Sequence, residues 1–292
     1  MSRCKSTNNP NRIERLDIEK LRQTLDTIVF GVGDRLLYLP IVDSTNTLAM
    51  IMALQGTEEG MVVLTDSQTA GKGRQGRRWV DMTGCSALLS TILRPLFPPH
   101  LLVMIAALAV VAAIADTCGI AAMIKWPNDI LIRGRKVAGI LIETSHDHLG
   151  HLVAAMGIGA NVNGHVAQFI ETTSEQPQSI PFRLTAIATT LEEECGYQVS
   201  REAFLAYLLR HLEPQYLALQ QEAQTLPMTP RLISRLIREQ WRNQLSTLGQ
   251  TIRVRQGNTI LSGVAEDVNE NGELLLRCHS GERISISWGD VE

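Results

Sequence analysis

Residues 125–141, KWPNDILIRGRKVAGIL, decide the fold of this 292-residue chain. Two apolar segments, 130–132 and 136–143, flank the short polar turn RGR (133–135), and this pattern predicts two antiparallel strands joined as a hairpin. Hairpins between neighbouring strands favour an α+β fold in which helices pack on a mixed or antiparallel sheet. A doubly wound parallel sheet is therefore not expected.

The segments on either side of this hairpin alternate between strand and helix patterns. Short apolar runs predict strands over 61–65, 86–93, 122–125 and 152–158. Helical spacing or continuous apolar character predicts helices over 15–25, 43–54, 101–115, 183–195, 200–222 and 229–247. Asp43 or Ser44 is expected to cap the second of these helices. The helix over 101–115 is shorter than the roughly 20 apolar residues that cross a bilayer, so we expect it to be buried in a core.

The end of the chain carries short alternating strands separated by polar turns. They are predicted over 251–255, 260–268, 273–277 and 283–287, and together they indicate a small β-barrel. We therefore expect three parts. An N-terminal extension over 1–35, disordered over 1–12, precedes the main α+β domain over 36–248, and the barrel domain occupies 249–292.

The composition excludes several classes of protein. The formal net charge is -3 and aromatic residues make up 4% of the chain. A protein that coats nucleic acid or an anionic membrane needs a clear basic excess, so neither DNA nor a membrane is an expected partner. The five cysteines form no CxxC pair and support no disulfide framework. The polar start is not a signal peptide, and we expect a cytoplasmic protein.

The sharpest chemical feature is residues 68–79, QTAGKGRQGRRW. Three glycines allow a ligand to approach the backbone closely, and the four cations among them suit a phosphate or a carboxylate. Although Gly71, Gly73 and Gly76 satisfy GxGxxG, no apolar helix follows them, so a dinucleotide site is rejected. The P-loop pattern GxxxxGK[ST] is absent. Taken alone, the segment could equally be a basic surface loop.

Two further clusters have the same character. In the KWPND segment, Pro127 fixes a turn that presents Asn128 and Asp129, and Lys136 begins the return strand of the hairpin. Residues 157–163, GIGANVN, place glycines and a polar tip at the end of a strand. Each cluster alone could be an ordinary surface turn.

Four short patterns in one order change this reading: DSTN (43–46), QTAGKGRQGRRW (68–79), KWPNDILIRGRKVAGIL (125–141) and GIGANVN (157–163). Together they resemble the biotin–protein ligases, strongly over residues 36–170. The C-terminal strands are also similar to the terminal domain of that family. The resemblance implies a biotin/lipoate ligase-like catalytic domain over 36–248, followed by an SH3-like β-barrel.

The family's chemistry implies the substrates and partners. Its members form biotinyl-5'-AMP from biotin and ATP with Mg²⁺, and transfer biotin to a lysine of a biotin carboxyl carrier protein domain, as in acetyl-CoA carboxylase. Because a carboxylate attacks the α-phosphate and both are anions, the site must neutralise and align them. By resemblance, Lys136 and Arg74 are the catalytic residues, and Trp79 covers the adenine once the loop orders.

The resemblance also assigns binding residues. Biotin is bound by Ser44, Thr45, Asn46, Gln68, Lys72, Gly73, Arg74, Lys136 and Gly139. ATP is bound by Gly71, Lys72, Arg77, Trp79, Lys125, Asn128, Asp129 and Asn161. Asp129 is the candidate magnesium ligand.

Two departures from the family pattern stand out. Lys72 replaces the usual arginine, which keeps the charge but loses bidentate geometry. The sequence also ends at Glu292, where relatives often continue and supply a basic side chain. Some relatives carry an N-terminal winged helix-turn-helix. Since one predicted helix precedes Asp43 and such a domain needs three, we expect a monofunctional ligase that does not bind DNA.

Three alternatives stay open at this stage. A lipoate or octanoate ligase or transferase of the same superfamily would have an apolar tunnel where biotin needs neutral hydrogen-bonding groups. A biotin-sensing, DNA-binding regulator would show salt-dependent DNA binding. A non-catalytic binding module is disfavoured by the presence of Lys136 and Arg74. The sequence leaves a homodimer open.

Overall fold

The computed structural model describes residues 15–167, 187–225 and 231–292. The disorder predicted for residues 1–12 lies outside the described residues. The helices are α1 Ile18–Thr24, α2 Thr45–Leu54, α3 His100–Cys118, α4 Leu191–Cys195, α5 Arg201–Gln224 and α6 Leu232–Asn243. The strands are β1 Leu36–Val42, β2 Val62–Gln68, β3 Ser86–Leu93, β4 Met123–Lys125, β5 Asp129–Ile132, β6 Arg135–His146, β7 Leu152–Asn161, β8 Thr251–Gln256, β9 Thr259–Val268, β10 Leu274–Cys278, β11 Arg283–Ile286 and β12 Asp290–Val291.

The main sheet has seven strands in the order β1-β2-β3-β7-β6-β5-β4. The pair β1 and β2 is parallel, and the other neighbours in this sheet are antiparallel. The predicted mixed sheet and the hairpin between β5 and β6 are therefore confirmed. The turn of this hairpin uses Arg133 and Gly134, both in the left-handed region of φ.

The helix α3 forms the centre of the core on one face of the sheet. It is longer than the predicted 101–115, and it ends where Gly119 adopts a left-handed conformation with φ of +67°. It packs against α5, α6 and the strands of the sheet. Among the described residues it is the one helix long and apolar enough to cross a membrane, but more than half of it is buried inside the protein, as in a core helix.

The helix α2 packs on the opposite face of the sheet. Its first turn is capped by Ser44, whose hydroxyl accepts a hydrogen bond from the backbone N–H of Thr47. Of the two predicted caps, Ser44 is thus the one used. This cap places Thr45 and Asn46 in the first turn, where they face the sheet and are almost fully buried.

Two predicted helices differ from the structure. Within the predicted helix over 183–195, Ala188 pairs with Lys136 of β6, and α4 begins only after Thr190, which caps it through a capping box. The predicted helix over 229–247 ends early because Leu245 pairs in parallel with Ile124 of β4. In both cases backbone pairing to the main sheet overrides helical propensity.

The C-terminal strands form a five-stranded antiparallel sheet in the order β11-β10-β9-β8-β12. The short strand β12 was not predicted, and it pairs with β8. This sheet packs on the main domain, where the indole N–H of Trp126 donates to the carbonyl of Gly272 at 3.0 Å. A second link joins Arg242 of α6 to Asp267 of β9.

Candidate active site

Most of the predicted site residues line one cavity on the face of the main sheet that carries α2. The cavity wall includes Ser44, Thr45, Asn46, Gln68, Lys72, Gly73, Arg74, Arg77, Trp79, Asn128, Asp129, Lys136 and Gly139. Three predicted residues do not line it: Gly71, Lys125 and Asn161. The side chain of Asn161 instead donates to the carbonyl of Thr189 at 3.1 Å.

One end of the cavity is neutral and rich in hydrogen-bonding groups. The amide oxygen of Gln68 accepts from the backbone N–H of Thr45 at 2.8 Å. The hydroxyl of Ser90, fully buried on β3, lies 2.8 Å from Thr45 Oγ1 and 2.9 Å from Asn46 Oδ1. Gly157 makes room for Asn46, because a Cβ at this position would lie 2.6 Å from Asn46 Oδ1.

The glycine-rich loop folds back on itself beside this neutral end. The backbone N–H of Gly73 donates to the carbonyl of Arg77 at 2.7 Å, and that of Trp79 donates to Gly71 at 2.9 Å. A Cβ at Gly71 would lie 2.5 Å from the carbonyl oxygen of Trp79, so only glycine fits there. The loop thus has the geometry of a hairpin, and its cations reach the cavity.

Three cations of the site are each paired with a carboxylate. Lys136 Nζ lies 2.6 Å from Asp129 Oδ1, and Lys72 Nζ lies 3.6 Å from Glu143 Oε1. Arg77 forms a close ion pair with Asp290, which belongs to β12 of the C-terminal sheet. These carboxylates hold the cations near the cavity and can be exchanged for the anionic groups of a ligand.

Arg74 has a different environment. Its guanidinium donates to Asn128 Oδ1 at 2.9 Å and to the carbonyl of Gly289 at 3.4 Å. Within the described residues it forms no ion pair, unlike Arg77 in the same loop. Burial lowers the pKa of the Arg74 guanidinium; Asp129 opposes this shift, and Arg77 adds to it. Because an arginine stays protonated in proteins, this cation is available to an incoming anion.

The indole of Trp79 lies across the floor of the cavity. A Cβ at Gly139 or Gly159 would lie 3.0 or 2.7 Å from the ring, so two glycines on neighbouring strands create this space. Lys136 Nζ is 5.5 Å from the ring centroid, within reach of a cation–π contact. The indole Nε1 is buried without a hydrogen-bond partner among the described residues.

Some residues of the site were not predicted from the sequence. Ser90 gave no signal because its strand is buried along its whole length. Asp290 lies in a different domain, and Glu143 lies in a strand whose pattern indicates only a hairpin. For metal binding, the described residues contain no group of three His, Cys, Asp or Glu side chains that could hold an ion.

Comparisons with known proteins agree with this geometry. Residues 38–163 match the Biotin/lipoate A/B protein ligase family, and residues 247–292 match the Biotin protein ligase C terminal domain. The biotin--[acetyl-CoA-carboxylase] ligase of Paracoccus denitrificans is 35% identical over 83% of this chain and 94% of its own length. The bifunctional ligase/repressor BirA of Bacillus subtilis is 33% identical over 95% of this chain and 79% of its own length.

The fold is similar to that of a solved ligase. The biotin protein ligase from Aquifex aeolicus, in complex with biotin and ATP, superposes with a TM-score of 0.69 and 25% identity. The alignment covers 88% of this chain and 97% of that chain. The resemblance carried by the four sequence motifs is thus confirmed by relatives that match both domains. The chain belongs to the biotin protein ligase family.

Proposed function

We propose that this protein is a biotin–protein ligase that activates biotin with ATP to biotinyl-5'-AMP and transfers it to a lysine of a biotin carboxyl carrier protein domain. The observation that carries the proposal is the division of one cavity. Neutral hydrogen-bonding groups occupy one end, and cations from the glycine-rich loop and from β6 surround the other. This arrangement suits a ligand with an uncharged polar head and a carboxylate tail.

The neutral end accepts the ureido ring of biotin. Ser44, Thr45, Asn46 and Gln68 supply hydroxyl and amide groups there, and these groups satisfy both the N–H donors and the carbonyl acceptor of a ureido group. An acyl chain such as that of lipoate or octanoate cannot form hydrogen bonds with these groups. Burying unpaired polar groups against such a chain costs about 1–3 kcal/mol for each group. The neutral end therefore favours biotin over the acyl substrates of the superfamily.

The cationic end supports adenylation. A carboxylate oxygen of biotin attacks the α-phosphorus of ATP, the new oxygen–phosphorus bond forms, and pyrophosphate leaves with the electron pair. Lys72, Arg74 and Lys136 neutralise the two approaching anions and hold them in line, and Gly73 allows them to approach the backbone of the loop closely. Lys136 must exchange Asp129 for the reacting groups during this step. In the second step the amine of the acceptor lysine attacks the biotinyl carbonyl, and AMP leaves.

The nucleotide lies on the glycine-loop side of the cavity in this proposal. Arg77 and Asn128 surround its phosphates, and Trp79 covers its adenine. The assignments of Gly71, Lys125 and Asn161 to ATP stay predictions, since none of the three residues lines the cavity. The division into an extension over 1–35, a catalytic domain over 36–248 and a C-terminal domain over 249–292 is part of the same proposal.

Magnesium fits this site as an ion carried by ATP. Mg²⁺ is usually bound through one or two carboxylates together with substrate phosphates and water, not by a cage made of protein alone. Asp129 lines the cavity as one such carboxylate, which matches the lack of a larger ligand cluster in the described segments. When bound, the ion would neutralise phosphate charge. Asp129 would hold the ion, and its ion pair with Lys136 would then be broken.

The deciding experiment is ATP–pyrophosphate exchange, measured in parallel with biotin, lipoate and octanoate. We expect exchange that depends on biotin alone. Exchange with lipoate or octanoate would move the assignment to the other enzymes of the superfamily, and no exchange with any of the three acids would overturn the proposal. The acceptor is tested separately by transfer of biotin to a purified carboxyl carrier domain. The oligomeric state, where a homodimer is open, is measured by light scattering with and without biotin and ATP.

A further inference from the structure

Glu143 of β6 lies at the edge of the cavity, on the same face of the strand as Gly139 and Leu141, and contacts two residues of the cavity wall. One carboxylate oxygen accepts a hydrogen bond from Asn46 Nδ2 at 2.7 Å, and the other lies 3.6 Å from Lys72 Nζ. Glu143 does not line the cavity itself, although it lies beside the glycine-rich loop. It thus joins the neutral end of the site, through Asn46, to the cationic end, through Lys72.

The contact with Asn46 determines how its amide is oriented. Asn46 is 3% exposed, and its Oδ1 lies 2.9 Å from the hydroxyl of Ser90, which must donate because an amide oxygen only accepts. The Nδ2 then faces the Glu143 carboxylate, where an amide oxygen would be repelled. One N–H and one lone pair of the amide remain for a ligand. Without Glu143, nothing in the contacts of Nδ2 would favour this orientation over a rotated one.

The contact with Lys72 affects the binding of the ligand's carboxylate. The side chains of Lys72 and Glu143 are 45% and 35% exposed, and such ion pairs contribute little to stability. The pair does place a negative charge beside the cation that a substrate carboxylate needs. Binding of that carboxylate therefore competes with Glu143 for Lys72.

We infer that Glu143 is a positioning residue for biotin, which orients the Asn46 amide toward the ureido ring and shares Lys72 with the biotin carboxylate. The inference rests on the proposed function. It predicts opposite effects on the two ends of the ligand. Loss of the whole side chain weakens recognition of the ring, and loss of the charge alone strengthens recognition of the carboxylate.

Two substitutions separate these effects. Glu143→Ala removes both contacts, and Glu143→Gln keeps an oxygen for Asn46 Nδ2 but removes the charge beside Lys72. Calorimetric binding of biotin and of biotinamide, which has the same ring but no carboxylate, is measured for each full-length variant. For Glu143→Ala we expect the dissociation constant of biotinamide to rise about tenfold and that of biotin to rise less, because the charge that competes for Lys72 is lost as well. For Glu143→Gln we expect biotinamide to bind within about threefold of the wild type, with biotin bound relatively more tightly than in the wild type.

Kinetics add a measurement that a merely structural role would not produce. In pyrophosphate exchange, Glu143→Ala should raise the KM for biotin several-fold and change kcat and the KM for ATP less than about threefold. This follows because the contact with Asn46 concerns only the biotin ring, and Lys72 keeps its charge in the variant. Thermal unfolding of both variants checks that the fold is kept.

Each outcome has a distinct meaning. Wild-type protein that fails to bind biotin and gives no exchange overturns the proposed function and this inference with it. If the wild type is active and Glu143→Ala binds biotinamide normally, the orienting role alone is wrong. If Glu143→Gln loses both ligands as strongly as Glu143→Ala, the residue is structural and the inference is wrong.

Discussion

Lys136 and Asp129 face each other across the β5–β6 hairpin, with 2.6 Å between Nζ and Oδ1. A register shift in this hairpin, between Ile130 and Leu131, makes Leu131 pair with Lys136 and Ile130 with Ala138. This register shift brings Asp129, the first residue of β5, and Lys136, near the start of β6, to the same edge of the cavity. The principal cation of the site is therefore held by a carboxylate of its own hairpin.

Replacing Lys136 removes the principal cation of the site. We expect Lys136→Ala to lower the rate of biotin-dependent pyrophosphate exchange by about 10²–10³-fold, the usual effect of deleting one group that stabilises developing charge. The fold should persist, because the side chain is partly exposed. Lys20→Ala, on the exposed face of α1, is the matched control and should keep wild-type exchange. Near-normal single-turnover formation of biotinyl-adenylate by Lys136→Ala would contradict the assignment.

Replacing Asp129 tests the proposed link to magnesium. Asp129→Asn keeps the shape of the side chain but removes the charge that would attract the ion. We expect the Mg²⁺ concentration for half-maximal exchange, at fixed ATP, to rise about tenfold. Asp116→Asn is a suitable control, because Asp116 is exposed near the end of α3 and pairs with His211 of α5 outside the site. An unchanged magnesium dependence in Asp129→Asn would show that this carboxylate does not hold the metal.

The sequence predicted the parts of the fold that depend on local pattern. The hairpin of β5 and β6 follows from two apolar segments around the RGR turn, and β3 was predicted with its observed bounds. The errors arose where distant backbone pairing wins over local propensity. Ala188 pairs with Lys136 and Leu245 with Ile124, and neither pairing leaves a trace in the residues around it.

The same difference between local pattern and distant contacts decides which residues of the site could be predicted. Its glycine loop and lysines carry recognisable composition, and the family resemblance assigned them roles. The supporting residues carry no such signal. Ser90 is one polar residue in a buried strand, and Asp290 meets Arg77 only because the two domains pack together. Pairing of this kind can be found only in three dimensions.

The ion pair between Arg77 and Asp290 should restrain the glycine-rich loop before ligands bind. The cations of this loop repel one another, and Asp290 offsets part of that repulsion from the C-terminal sheet. We expect Asp290→Asn to increase the rate of tryptic cleavage within residues 71–79 several-fold, measured by mass spectrometry. Biotin plus ATP should protect the loop in both proteins. Glu58→Gln, which breaks the exposed pair with Arg35, controls for loss of a surface charge. Equal cleavage with and without ligands would contradict a loop that orders on binding.

The contact between the two domains should depend on pH through Asp267. The hydrogen bond from Arg242 is the main reason that the pKa of Asp267 lies below its ordinary value of 3.8. A carboxyl whose pKa is lower in the folded state stabilises the fold above its unfolded pKa and loses this effect as pH falls through the folded pKa. Both side chains are about 40% exposed, so the effect is below about 1 kcal/mol.

The matching experiment compares thermal unfolding of the wild type and Asp267→Asn. At pH 7 the variant should unfold at a temperature lower by a few degrees at most. The difference should shrink as the pH falls below 3.8 and vanish once the pH is below the lowered pKa of Asp267 in the folded protein. The amide oxygen of the substituted side chain would still accept from the N–H of Val268, as Asp267 Oδ1 does, so the comparison isolates the charge. A difference that stays constant down to the lowest pH would rule out the ion pair as its source.

Alanine substitutions at two glycines of β7 should affect the two halves of the cavity separately. Neither Gly157 nor Gly159 has a left-handed backbone, so alanine is compatible with their conformation and only space is lost. An added Cβ at 157 would lie 2.6 Å from Asn46 Oδ1, and one at 159 would lie 2.7 Å from the indole of Trp79. The first substitution displaces the side chain assigned to biotin, and the second displaces the one assigned to the nucleotide.

We therefore expect Gly157→Ala to raise the KM for biotin about tenfold with little change in the KM for ATP. Gly159→Ala should do the reverse, because the indole can no longer lie flat over the strand. Each variant is the control for the other, since both add one methyl group to the same strand two residues apart. If both variants keep the fold and raise the two KM values equally, the division of the cavity between Asn46 and Trp79 is wrong.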